Sequence, residues 1–130
     1  MITGIGVDMV HVRRMERWRA VPGLLERYFH GEELSAALSR RAGAGLSLAA
    51  RFAAKEALGK ALGTGLAGIV LKDIMVMNHH NGRPEIKVLG TALAALEKSG
   101  ANRVFVSLAH ERDNAIAMVV LEAVPDEQGR

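Results

Sequence analysis

Residues 51–60, Arg-Phe-Ala-Ala-Lys-Glu-Ala-Leu-Gly-Lys, set a carboxylate and three cations inside a long alanine- and leucine-rich stretch. The spacing predicts a helix from an N-cap at Ser47 to about Leu62. Its expected core face is Ala50, Ala54, Ala57, Leu58 and Ala61. Small side chains on that face let neighbouring elements approach closely, so the helix is expected at the centre of the fold. A helix built only to fill a core has no use for Lys55, Glu56 and Lys60. Residues four apart share a helical face, which aligns Phe52, Glu56 and Lys60 in one row and Arg51 and Lys55 in the next. A carboxylate among cations suits a divalent metal, which takes hard oxygen donors, together with a phosphate-bearing ligand, which takes positive charge. The simpler reading of Glu56 and Lys60 is an i,i+4 surface ion pair.

The flanking sequence supplies partners for this helix. Ile2 to Asp8 reads as a buried strand ended by Asp8, a residue that serves equally as a helix N-cap or a ligand. Helical pieces follow over Val10–Val21, Pro22–Phe29 and Gly31–Ala42, with Gly43 and Gly45 as breaks. Gly63 ends the long helix and opens a flexible loop to Gly68. Asp73–His80 and Pro84–Leu89 read as a hairpin about Asn81-Gly82. A helix over Thr91–Ser99 ends at Gly100, and Arg103–His110 and Ala115–Glu122 form a second strand pair. Helices and separate hairpins predict an α+β fold, an antiparallel sheet packed on the long helix. One domain over residues 1–124 is expected, with 125–130 a frayed tail.

Composition narrows the function. The 49% hydrophobic and 24% charged content is that of a globular chain. Cysteine is absent, which excludes disulfides and thiolate metal sites and agrees with a cytoplasmic location. No apolar run approaches the roughly 20 residues a bilayer requires, and Met1 to Gly4 lacks the features of a signal peptide. We therefore expect no membrane association. Three Phe, one Tyr and one Trp are too few for a base-stacking platform, and no nucleic-acid partner is expected. No P-loop, nucleophile elbow or dinucleotide fingerprint occurs. Residues 1–60 hold ten Lys/Arg against six Asp/Glu, so the basic half is suited to an acidic partner or an anionic ligand. His110 follows Val104, Val106 and Leu108 at strand spacing and shares their face. A non-catalytic basic binding module would carry many of the same features. It would bind without metal and, if its partner were nucleic acid, with steep salt dependence.

The order of these features carries more than any one of them. Gly-Ile-Gly-Val-Asp8 with Arg14, then Arg51-Phe-Ala-Ala-Lys-Glu56-Ala-x-x-Lys60, then Val-Ser-Leu-Ala-His110, resembles the small, single-domain branch of the 4′-phosphopantetheinyl transferases, the holo-acyl-carrier-protein synthases. Gly63-Thr64-Gly65 and Asn81-Gly82-Arg83-Pro84 fit as well, and the resemblance runs from Met1 to about Glu122. Ala109 departs from it, since the family often has Ser or Thr before the histidine.

The resemblance implies transfer of the 4′-phosphopantetheine arm of coenzyme A to a carrier-protein serine in fatty acid biosynthesis, releasing adenosine 3′,5′-bisphosphate. It also implies a homotrimer with sites between subunits. Asp8 and Glu56 would hold Mg2+, and Lys60 would lie near the same phosphates. Arg51, Lys55 and His110 are candidates for the pyrophosphate and 3′-phosphate, with Gly65 and Pro84 also against the cofactor. The serine proton would pass to Glu56, to a metal-bound water or to His110. Arg14, with Arg13, Arg17 and Arg27, would dock the acidic acyl carrier protein.

Overall fold

The computed structural model describes residues 1–125. Residues 126–130, most of the expected tail, lie outside the described residues. The chain order is β1 (Ile2–His11), α1 (Val12–Arg19), α2 (Leu24–Tyr28), α3 (Gly31–Leu38), α4 (Ala44–Leu62), β2 (Ile74–Asn78), β3 (Pro84–Val88), α5 (Gly90–Ser99), β4 (Arg103–Glu111) and β5 (Asn114–Glu122). Two antiparallel sheets form, one ordered β1-β5-β4 and the other the β2-β3 hairpin. The three-stranded sheet packs against α4, as the α+β expectation required.

Close approach sets this architecture. A Cβ on Gly4 would lie 2.0 Å from the Ala61 carbonyl oxygen, and one on Gly6 would lie 2.0 Å from that of Ala57. Any side chain at either glycine would push the strand off the helix. Val10, two residue pairs further along the same face, is buried. Helix α4 is enclosed on nearly all sides, with Leu48, Ala49, Phe52, Ala53, Ala54, Ala57 and Leu58 in the core. That is why its apolar residues do not keep to one stripe. Ala50 departs from the expected core face and is only partly buried.

Several boundaries differ from the sequence expectation, each for a local reason. Strand β1 runs on to His11, because β5 pairs with it as far as Asn114. Asp8 therefore sits in mid-strand opposite Ala117 and caps no helix. The α1 cap is His11, whose Nδ1 accepts from the Arg13 N–H at 3.0 Å. Pro22 lies in a turn before α2, and α3 ends at Leu38. Helix α4 starts at Ala44, directly after a 3-10 turn over Arg41–Gly43, so Ser47 lies inside it and caps nothing. Gly45 does not break α4. It stands where a Cβ would lie 2.2 Å from Glu16 Oε1, so it admits α1. Gly63 and Gly100 end α4 and α5 with φ of 80° and 85°, as expected.

The Gly6 contact gives a direct test. Gly6→Ala is expected to destabilise the fold by about 2–3 kcal/mol, a fall in Tm of roughly 10 °C by calorimetry. An unchanged Tm would show that β1 and α4 are not held at this distance.

Candidate active site

The candidate residues fall into two groups on opposite sides of α4. At 3.6 residues per turn, Glu56 lies about 140° and Lys60 about 180° around the axis from Arg51. On one side, β1 directs Asp8 toward the helix, and Lys60 Nζ donates to Asp8 Oδ1 at 2.9 Å and to the Val7 carbonyl at 3.0 Å. Glu56 lies one turn before Lys60 on the same helical row and is partly exposed. Gly65 lies on a loop that folds back over the end of α4, where its N–H donates to the Gly59 carbonyl at 3.0 Å.

On the other side lies a cleft of ≈ 640 Å³ whose lining includes Arg40, Arg51, Leu46, Pro84, Leu108 and His110. His110 and Leu108 share one face of β4, as the strand spacing predicted. Pro84 opens β3 across from them. Arg51 is held rigidly: its Nε donates to the Val76 carbonyl at 3.2 Å and its Nη1 to the Ser47 hydroxyl. Burial lowers the Arg51 pKa, the Glu33 charge opposes that shift and the Arg40 charge adds to it. The guanidinium nonetheless stays cationic. Arg40, Leu46 and Ser47 were missed from the sequence, because only the packing of the turn before α4 turns them toward His110.

Lys55 corrects the expectation that it serves a phosphate. Its side chain and that of Glu33 are both 0% exposed. Lys55 Nζ donates to Glu33 Oε1 at 2.7 Å, to the Leu71 carbonyl at 2.9 Å and to the Ile74 carbonyl at 2.6 Å. Its three protons are all used inside the fold. Burial pulls the ammonium below its ordinary pKa, while the Glu33 charge and hydrogen bond oppose that shift.

Arg13, Arg14, Arg17 and Arg27 are all exposed on α1 and α2. The Arg14 guanidinium lies 5.0 Å from the Trp18 ring and 4.9 Å from the Phe52 ring. Phe52 is one turn before Glu56, so the Arg14 contact lies on the row of α4 that carries Glu56.

Among the described residues, no three His, Asp or Glu side chains converge as a self-sufficient metal site. Asp8 and Glu56 carry the hard carboxylate oxygens that Mg2+ takes, a cation that uses few protein donors and fills its remaining positions from phosphate and water. Lys60, already on Asp8, would lie at the edge of the same phosphates.

Residues 4–119 match the family model of the 4′-phosphopantetheinyl transferase superfamily, and the chain belongs to that family. It is 56% identical over 122 residues to the holo-[acyl-carrier-protein] synthase of Treponema denticola, which covers 94% of this chain and 99% of that one. Among solved structures, the holo-[acyl-carrier-protein] synthase of Neisseria meningitidis superposes with a TM-score of 0.83 at 34% identity, covering 94% of this chain and 99% of that one. The Bacillus anthracis enzyme, solved in complex with CoA (3′,5′-ADP), gives 0.79 at 32% identity over 95% and 99%.

The buried pair makes a test that separates structure from ligand binding. Lys55→Met is expected to lower stability by about 3–5 kcal/mol in urea titration, because it leaves the Glu33 carboxylate buried alone. Unchanged stability with weaker coenzyme A binding would restore Lys55 to the ligand.

Proposed function

We propose that this chain transfers the 4′-phosphopantetheine group of coenzyme A to a serine of an apo acyl carrier protein, as one transferase domain over residues 1–124. The observation that carries the reading is the division of polar side chains about α4. The acidic pair with Lys60 suits a pyrophosphate held through Mg2+, and the Arg51–His110 cleft suits the adenosine and 3′-phosphate end. The cleft combines apolar walls with one fixed cation, Arg51, and the exposed Arg40, which suits a purine bearing a phosphate.

Neither side is a complete site. An outward apolar face lies on the three-stranded sheet: Ile5, Val7 and Met9 on β1 are 65%, 56% and 62% exposed, and Ile116 and Met118 on β5 continue it. A monomer leaves few patches of this size uncovered. A ring of three copies covers this face and brings the acidic side of one subunit to the cleft of the next.

In the reaction, the serine oxygen bonds to the phosphorus bearing the pantetheine arm. The bond from that phosphorus to the bridging pyrophosphate oxygen breaks, and adenosine 3′,5′-bisphosphate leaves with the electron pair. Asp8 and Glu56 would hold a Mg2+ ion there, which would supply charge neutralisation for the phosphates. Asp8 and Glu56 hold that end of the coenzyme, and Lys60 draws charge from the leaving oxygens. Glu56 receives the serine proton. His110 and Arg51 anchor the leaving nucleotide, and Gly65 and Pro84 line its path. Arg14, steadied on Trp18 and Phe52, orients the acidic carrier with help from Arg13, Arg17 and Arg27. We place the protein in the cytoplasm and in fatty acid biosynthesis, where carrier proteins of this type act. Among the described residues no helix is long and apolar enough to cross a membrane.

Intact-mass spectrometry of an apo-carrier incubated with the protein, coenzyme A and Mg2+ tests this reading. One phosphopantetheine is added by the wild type and almost none by Asp8→Asn or Glu56→Gln, both of which stay folded by circular dichroism. Full activity in the double variant would remove the acidic pair from the mechanism. Arg14→Glu is expected to raise KM for the carrier about tenfold or more and leave coenzyme A binding unchanged. Equal loss of both in titration calorimetry would contradict the division of roles.

A further inference from the structure

The free edge of the β2-β3 hairpin is closed by charged side chains and not by a third strand. The Ile74 carbonyl accepts from Lys55 at 2.6 Å, the Val76 N–H donates to Glu33 Oε2 at 3.0 Å, and the Val76 carbonyl accepts from Arg51 Nε at 3.2 Å. Glu33 ties this edge together. Its Oε1 also accepts from Lys55 and from the His30 N–H at 3.0 Å, which anchors the first turn of α3 to α4 and β2. Val76 thus has its N–H fixed by Glu33 and its carbonyl fixing Arg51. The two bonds lie on one residue, so a shift of β2 at Glu33 is passed to the guanidinium. Glu33 is fully buried and has no surface in the cleft. In the sequence it reads as an ordinary acidic residue in the first turn of a helix.

We propose that Glu33 is a positioning residue for the coenzyme: through Val76 it holds Arg51 at the orientation that recognises the 3′-phosphate. The inference rests on the assignment of Arg51 to that phosphate. It separates Glu33 from a residue that only stabilises, because a positioning residue changes selectivity between ligands with and without the phosphate.

The test compares kcat/KM for coenzyme A and 3′-dephospho-coenzyme A, with the full chain, apo-carrier and Mg2+. The ratio of the two is independent of the fraction of protein folded, so lost stability does not move it. Wild type is expected to prefer coenzyme A by tenfold or more, the worth of roughly one hydrogen bond between charged groups. Glu33→Gln turns an amide NH2 toward a donor in either orientation, the Lys55 ammonium or the Val76 N–H. It is expected to erase most of the preference, through a KM that rises for coenzyme A far more than for 3′-dephospho-coenzyme A. The paired replacement Glu33→Met with Lys55→Met removes both charges together, so that no lone charge stays buried, and is expected to lose the same selectivity in the protein that folds. Leu96→Ala, which opens the core at α5 away from this network, is the control and should keep the wild-type ratio despite lower stability.

A wild-type ratio in Glu33→Gln and in the paired variant, alongside a lost ratio in Arg51→Ala, overturns the role of Glu33 and leaves the Arg51 assignment standing. A wild-type ratio in Arg51→Ala overturns that assignment and this proposal with it. An equal loss in Leu96→Ala would show that any destabilisation erodes selectivity and would also overturn the proposal.

Discussion

Helix α4 is packed on nearly every side, and that enclosure decides where its polar side chains can emerge. Strand β1 touches it through Gly4 and Gly6, and α1 reaches it at Gly45. Between these contacts the helix is open in two places. Lys60 leaves beside Asp8, with Glu56 one turn before it, and Arg51 leaves into the cleft lined by Pro84 and His110. Small residues at the contacts therefore do more than save volume. They fix the rotation of α4, and with it the direction of each charge. A side chain at Gly6 would displace the strand that carries Asp8, so the packing and the chemistry are one constraint.

The charged residues of the helix do different physical jobs although they lie within ten positions. Lys55 is a core residue in a buried ion pair, where losing one partner is far worse than losing both. Lys60 is at the surface, where its ammonium bonds Asp8 and the Val7 carbonyl and still faces solvent. Arg51 lies between these extremes, buried yet directed into a cleft. Burial sorts them: a guanidinium with several donors can satisfy the backbone and still present a face to an anion, whereas an ammonium with three internal bonds cannot.

Much of this was legible in the sequence. The α4 alanines, the Asn81-Gly82 turn and the glycines at 63 and 100 carry local signals that tertiary packing did not override. Strand alternation placed His110 on the face of Val104, Val106 and Leu108, while its candidacy for the ligand came from the family resemblance. What failed had non-local causes. Asp8 ended its strand in the sequence reading because nothing local showed β5 continuing alongside to Asn114. Ser47 looked like a cap because a 3-10 turn leading straight into a helix leaves no sequence mark. Lys55 was joined to the phosphates because its row on the helix is visible in sequence while its partner, Glu33, comes from another helix. The family resemblance gave the reaction, but the two-sided arrangement about α4 required the three-dimensional fold.

That arrangement is the central claim, and complementation between inactive chains tests it most directly. Glu56→Gln spoils the acidic side and Arg51→Ala spoils the cleft, each in its own chain. If every working site joins the acidic side of one copy to the cleft of another, refolding the two variants together in equal amounts should restore about a quarter of wild-type activity, the chance that a site receives both intact halves. A mixture no more active than its parents would show that each chain holds its whole site and would contradict the account.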